Sequence, residues 1–264
     1  MAGSLHTVGR SIAVGNVSGE SILSAADVGD KREDNVAATT EQYIFLSYAI
    51  SVDAPNPPAI PAVEITPLYS LAKGDKANVS VLRLANHTGT HVDAPAHVIS
   101  GGLKISQFAP SELLFERPMV IDLRLSDGKI VQPADLEPHI HRVKDADLLL
   151  FRFGYGAVRR NQPARYSGKC PGFGIASAEF LRANLPNLRA MGMDVPSLAC
   201  IEHLDETMAA HNVLLDGAGR RFLIIEDMNL DRDLSGLSAI WTMPWLIAEI
   251  DSAPCTVVAQ LRAQ

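Results

Sequence analysis

The sequence predicts an α/β protein made of a single mixed-sheet domain, residues 43–264, preceded by an N-terminal arm, residues 1–42. Three observations support this fold class. The 264 residues are 47% hydrophobic and 20% charged, which is the usual mixture of a globular protein. Short runs rich in β-branched residues recur along the chain, and few segments have helical character. Strands interspersed with only a few helices favour one mixed sheet.

The first 42 residues are rich in Gly, Ser, Ala and Asp and show no clear periodicity. A polar segment without a core of its own is usually ordered by lying on another surface. Two interpretations stay open, because the arm can cross a neighbouring subunit or fold back onto its own domain. The first interpretation predicts a homo-oligomer, either a dimer or a tetramer.

The predicted strands begin directly after the arm. Tyr43–Ile50 is a β-rich run, and the proline-studded segment 53–61 that follows must be a loop or an edge. Polar and apolar residues alternate over Asn78–Ala85, as expected of a half-buried strand. The short apolar runs Met119–Leu123 and Leu148–Phe153 predict buried strands.

Two helices and two more strands complete the predicted domain. Ser177–Asn184 is predicted to be a helix with Ser177 as its N-cap, and Leu204–Leu215 is predicted to be another. Arg221–Ile225 and Thr256–Leu261 are predicted strands. The pair Gly154-Tyr-Gly156 is interpreted as a loop after a strand, since it lacks the third glycine and the following helix of a nucleotide-binding motif.

Charge and cysteine content exclude several classes of function. The formal net charge of -7 argues against nucleic acid or an anionic membrane as a partner, so a small-molecule substrate is expected. Cys170, Cys200 and Cys255 form no CxxC pair and are odd in number, which argues against a disulfide framework or a thiolate zinc site. No segment resembles a signal peptide or a membrane span, and we expect a cytoplasmic protein.

One stretch concentrates the residues that can carry chemistry. His87-Thr-Gly-Thr-His91-Val-Asp93-Ala-Pro-Ala-His97 holds four potential metal ligands or proton-transfer groups within eleven residues. In an extended chain, His87, His91 and Asp93 would project to one side, with Gly89 leaving a gap between them. Two imidazoles and one carboxylate suit zinc or manganese and leave coordination positions open for water and substrate. This stretch therefore predicts a metal-dependent enzyme.

The same stretch, followed by Gly101-Gly102, resembles the signature of the cyclase family, which includes bacterial kynurenine formamidases and isatin hydrolases. The likeness extends over roughly residues 45–261. It is carried by six further blocks, at residues 45–47, 74–80, 120–123, 149–152, 193–197 and 251–254.

The resemblance implies a swivelling β/β/α domain and a set of site residues. It implies that His87, His91 and Asp93 bind the metal ion, Mn²⁺ or Zn²⁺, and that His97 lies beside it as a proton-transfer group. Many family members hold a second ion with a histidine and a glutamate, and here His211 and Glu226 stand in the matching blocks. An ordinary helix histidine and a strand-end carboxylate would look the same, so one ion or two stays open.

The resemblance implies hydrolysis of a C–N bond in a small amide, with metal-activated water as the nucleophile and His97 as the proton shuttle. Formamidase-like members usually carry Trp-Pro-Gly-Asp ahead of the motif, whereas this chain has residues 56–61 there, Asn-Pro-Pro-Ala-Ile-Pro. Phe153 stands where threonine is common. We therefore expect a rebuilt pocket around an intact metal motif. Hydrolysis of a cyclic amide, an imide or a lactone stays open, as does a non-catalytic metal-binding protein.

Overall fold

A computed structural model describes residues 41–216 and 221–262. Its strands are β1 (Glu41–Phe45), β2 (Glu64–Tyr69), β3 (Val79–Arg83), β4 (His91–Asp93), β5 (Leu114–Phe115), β6 (Pro118–Asp122), β7 (Ile130–Val131), β8 (Leu148–Arg152), β9 (Gly172–Phe173), β10 (Ala190–Met193), β11 (Leu223–Glu226), β12 (Leu237–Pro244) and β13 (Ala253–Arg262). Its α-helices are α1 (Pro133–Leu136), α2 (Ile140–Val143), α3 (Gly156–Asn161), α4 (Pro163–Lys169), α5 (Ile175–Asn184) and α6 (Leu204–Leu215). The predicted arm lies outside the described residues except for its last two, which begin β1.

Nine strands form one mixed sheet, which confirms the predicted fold class. The strand order is β5-β12-β13-β4-β11-β10-β8-β6, and β1 pairs with β13 as well. The half from β6 to β11 is parallel, whereas β4, β13, β12 and β5 are joined by antiparallel pairs. Because β5 and β6 are consecutive in the chain yet stand at opposite ends of the order, the sheet must curl until its two ends approach each other.

Both faces are buried in the central part of this sheet, as β8 shows. Leu149 and Phe151 point to one apolar cluster, which also contains residues of α4, α5 and α6. Leu148 and Leu150 point to a second cluster, which contains residues of β12 and β13. A continuous apolar run is the pattern expected of a strand with both faces covered. The prediction of a buried strand at this position is confirmed.

Two of the six α-helices, α5 and α6, were predicted from the sequence, whereas α1 to α4 were not. Helix α3 begins at Gly156, where a loop was predicted, and α4 follows it with Pro163 in its first turn. Helix α5 begins at Ile175 with the extended Gly174 as its N-cap, so Ser177 lies inside the helix, where its hydroxyl donates to the Gly174 carbonyl. Helix α6 has the predicted bounds.

Strand β3 is the other departure from prediction. It pairs only with β2, and every residue of this two-stranded hairpin is exposed, so β3 is not the half-buried strand predicted at Asn78–Ala85. Its alternation of polar and apolar residues is present in the sequence, but no second layer of the described chain covers its apolar side.

Within the described ranges, none of the helices has the length and apolar character needed to cross a membrane.

Candidate metal centre

Strand β4 carries His91 and Asp93 through the middle of the sheet. Val92, between them, belongs to the apolar cluster on the β12–β13 side, so the two polar side chains point to the opposite face, toward α6. In the antiparallel pairing with β11, His91 stands directly opposite Glu226. Ile225 belongs to the same apolar cluster as Val92. Because neighbouring side chains of a strand point to opposite faces, the Glu226 carboxylate lies on the face occupied by His91.

A turn, and not an extended strand, brings His87 to the same point. Gly89 has a φ of 65°, a left-handed conformation that breaks the alternation expected from the sequence, and a Cβ there would lie 3.3 Å from Ile50 Cγ1. The Gly89 carbonyl lies 2.8 Å from His91 Nδ1, so that nitrogen donates and Nε2 is left for another partner. His87 Nδ1 lies 3.1 Å from Asp93 Oδ1.

Helix α6 and strand β11 supply the second pair of predicted ligands. His211 Nδ1 lies 3.0 Å from the Thr207 carbonyl, one turn earlier in α6, which leaves its Nε2 3.6 Å from Glu226 Oε1. Glu226 Oε2 lies 3.1 Å from His91 Nε2. The Leu198 amide donates to Glu226 Oε1 at 2.6 Å and fixes the carboxylate between the two imidazoles.

His97 is held beside this group by a carboxylate that the sequence analysis did not assign. His97 Nδ1 lies 3.1 Å from Asp251 Oδ2, and its Nε2 lies 3.9 Å from Asp93 Oδ2. The same Asp251 oxygen lies 3.3 Å from His87 Nε2. Asn86 donates to Asp251 Oδ1 and Ser252 donates to Oδ2, both at 2.9 Å. Asp251 therefore orients one predicted ligand and the predicted proton shuttle together.

The donor set fits a divalent cation. His91 Nε2 and both carboxylate oxygens of Asp93 are buried, and none of the three has a hydrogen-bond partner among the described residues. Buried polar atoms without partners are costly unless an ion or water satisfies them. His87, His91 and Asp93 can each offer one ligand atom within 4.8 Å of the others, and so can Asp93, His97 and His211. His87, His97 and Asp251 form a third such set, and because the three sets share residues they are compatible with one ion or with two.

The electrostatics of the cluster also favour a bound cation. Burial alone would lower the pKa of His87, but its close contacts with the carboxylates of Asp251 and Asp93 outweigh burial and raise that pKa to about 10. Burial also lowers the pKa of His91 and of His211, but contact with the Glu226 carboxylate raises both pKa values by more, so that each is raised overall. The pKa of Glu226 is lowered despite its burial, because both imidazoles contact it. Carboxylates that hold protons on buried imidazoles can hold a metal ion there instead.

The structure thus brings all six predicted site residues into one cluster: His87, His91, Asp93, His97, His211 and Glu226. Their roles stay predictions. Asp251 was missed because only the tertiary fold brings the start of β13 to the motif. Its sequence signals are a carboxylate ahead of a strand and its place in the block 251–254 of the family likeness, neither of which indicates a contact with the motif.

Comparisons with known proteins identify a family model and relatives that match this chain. The profile of the Cyclase family ("Putative cyclase") matches residues 44–199. The kynurenine formamidase of Bacillus anthracis is 26% identical over 220 residues, which cover 83% of this chain and 97% of that protein.

Two solved structures share the fold. Isatin hydrolase A from Labrenzia aggregata, bound to benzyl benzoate, superposes on this chain with a TM-score of 0.70 at 20% identity. The alignment covers 84% of this chain and 94% of that protein. Isatin hydrolase A from Ralstonia solanacearum superposes with a TM-score of 0.68 at 18% identity, and the alignment covers 94% of this chain and 100% of that protein. At these identities the likeness establishes the architecture alone.

Proposed function

Given that the chain belongs to the Cyclase family, we propose that it is a metal-dependent hydrolase that cleaves the C–N bond of a small linear amide. The observation that carries this proposal is the set of buried, unpartnered donor atoms on His91 and Asp93 beside a histidine held ready for proton transfer. The kynurenine formamidase relative, aligned over most of this chain, supports a linear amide as the substrate.

The ion would be held by His87, His91 and Asp93, with His211 and Glu226 available for a second ion. Three imidazoles and two carboxylates form a mixed nitrogen and oxygen donor set, which suits Zn²⁺ or Mn²⁺. When bound, such an ion supplies Lewis-acid chemistry, since it polarises a carbonyl and lowers the pKa of water to about 7.

His97 would move the protons of the reaction. Its Nδ1 donates to Asp251, so its Nε2 is the free basic atom, and that atom faces Asp93 at 3.9 Å. Nε2 can accept a proton from the attacking water and return it to the leaving nitrogen, as general acid-base catalysis of amide hydrolysis requires. Asp251 holds the imidazole in the tautomer that makes this possible.

The second candidate reaction is the opening of a cyclic amide, an imide or a lactone. The shared fold of two isatin hydrolases favours it, and it would use the same donor atoms and the same histidine. The two candidates differ in substrate shape and not in the chemistry of the centre.

A substrate panel separates these possibilities. Protein stripped with a chelator and reloaded with Mn²⁺ or Zn²⁺ is assayed on N-formyl aromatic amines, cyclic imides and lactones, beside the His91→Ala variant treated in the same way. We expect hydrolysis of an N-formyl amine that requires metal and is absent from the variant. Preferential turnover of a cyclic imide or a lactone would favour the second candidate reaction, ring opening. Metal binding without turnover of any class would indicate a non-catalytic metal-binding protein.

A further inference from the structure

A buried ion pair adjoins a predicted metal ligand in the chain, and it takes no part in the chemistry described above. Arg159 of α3 contacts Asp227, the residue that follows Glu226. We propose that Arg159 is a positioning residue, which holds the carboxylate of Asp227 and thereby fixes the turn that directs Glu226 into the centre. This inference rests on the metal centre of the proposed function.

The backbone at Asp227 requires such support. Its φ is 52°, the one left-handed non-glycine residue among those described. Aspartate tolerates this conformation better than most residues, but the surrounding structure must still hold it in place. Without that constraint, the chain leaving β11 can return to an ordinary conformation and change the direction of the Glu226 side chain.

The contacts at Asp227 supply the constraint. Arg159 Nε donates to Oδ1 at 2.7 Å and Nη2 donates to Oδ2 at 2.8 Å, which is the paired geometry that only a guanidinium provides. Tyr166 of α4 donates its hydroxyl to Oδ1 at 2.5 Å, and the Asp227 amide donates to the Val195 carbonyl at 2.8 Å. The Arg159 Cζ lies 3.7 Å from the centre of the Tyr48 ring.

The same cluster also reaches the strand of the first metal ligands. The Thr90 hydroxyl donates to the Asp227 carbonyl at 2.6 Å and accepts from the Tyr48 amide at 3.0 Å. Thr90 immediately precedes His91, which stands opposite Glu226 in the sheet. One network therefore fixes the backbone beside both ligands.

Burial argues that this pair has a role beyond stability. The side chains of Arg159 and Asp227 are 11% and 3% exposed. A buried ion pair commonly stabilises a fold no better than apolar side chains of similar size, but its geometry is directional. A directional contact placed next to a ligand is the means by which outer groups set the orientation of metal-binding side chains, and removal of such groups typically lowers metal affinity about 10-fold to 100-fold.

The test compares metal binding by the folded full-length protein in three variants, Arg159→Met, Asp227→Asn and the two combined. Zn²⁺ affinity is measured against a chromogenic chelator well below the unfolding temperature, and the visible absorption of the Co²⁺-loaded protein reports ligand geometry. Arg189→Met is the matched control. Arg189 contacts the buried Asp147 at 3.4 Å, and no ligand adjoins that pair.

We expect Arg159→Met to lower Zn²⁺ affinity about 10-fold to 100-fold and to change the Co²⁺ spectrum. The double variant should show a similar loss and a similar spectral change, because it leaves no unpaired buried charge but still lacks the paired contact that holds the turn. Arg189→Met should lower the unfolding temperature alone.

Wild-type affinity and spectrum in Arg159→Met would overturn the inference, and so would an equal loss in Arg189→Met. If Arg159→Met does not fold, Arg159→Lys replaces it, since lysine keeps the charge but cannot make the paired contact. A wild-type protein that binds no metal refutes the proposed function itself. If the wild-type protein binds metal and Arg159→Met binds it with the same affinity, only this inference is refuted.

Discussion

Replacement of His97 by alanine separates proton transfer from metal binding. The imidazole donates through Nδ1 to Asp251, and its Nε2 lies 3.9 Å from Asp93, too far for a hydrogen bond. Removing it should leave the metal in place and reduce kcat by about 10²-fold to 10⁴-fold, or about 2.7 to 5.4 kcal/mol in activation free energy. Stability should fall by only about 1 kcal/mol, because Asp251 keeps three other partners.

The assay combines kcat on the best substrate of the panel, metal content by elemental analysis and the unfolding temperature. His141→Ala, which removes an exposed histidine from α2, is the control and should change none of them. Undiminished turnover by His97→Ala would refute the role of His97 as the proton shuttle. Loss of a metal equivalent in that variant would make His97 a ligand instead.

Four further predictions concern the centre, the fold and the arm. Glu226→Gln should lose one equivalent of metal if two ions bind, because a carboxamide is a poor ligand, and elemental analysis measures this. Retention of both metal and activity would remove Glu226 from the site. Gly89→Ala should lower the free energy of unfolding by about 1 to 2 kcal/mol and weaken metal binding, since its φ is left-handed. Phe151→Ala empties a fully buried position and should lower that free energy by about 3 to 5 kcal/mol in a denaturant titration. Deletion of residues 1–40 should weaken subunit association more than metal binding. Light scattering that shows an unchanged oligomer would argue for an arm folded on its own domain.

Local patterns were sufficient where a segment's environment matched its sequence. The apolar run at Leu148–Phe153 became a strand buried on both faces, and α6 took the bounds that its periodicity predicts. Prediction failed where the environment differed. Strand β3 alternates like a half-buried strand but lies in an exposed hairpin. Helix α3 begins within a glycine pair whose spacing indicates a loop.

The sequence likewise predicts the local part of the candidate site but not the part that the tertiary fold assembles. The spacing of His87, His91 and Asp93 is local, so the sequence could indicate a metal-binding motif before any fold was known. The left-handed Gly89 that brings His87 inward is not visible in that spacing. Asp251 and the Arg159 pair lie far from the motif in sequence, and only the curled sheet and helices α3 and α4 bring them there.

If this cluster is a catalytic metal centre, the activity must follow the metal content of the protein, and a titration of activity with metal measures this dependence. Metal-free protein receives increasing Mn²⁺ or Zn²⁺ while the hydrolysis of an N-formyl aromatic amine is followed. We predict no turnover without metal, a rise in proportion to the metal added, and saturation at one or two equivalents per chain. Turnover that persists in the metal-free protein, or that does not respond to added metal, would contradict the claim.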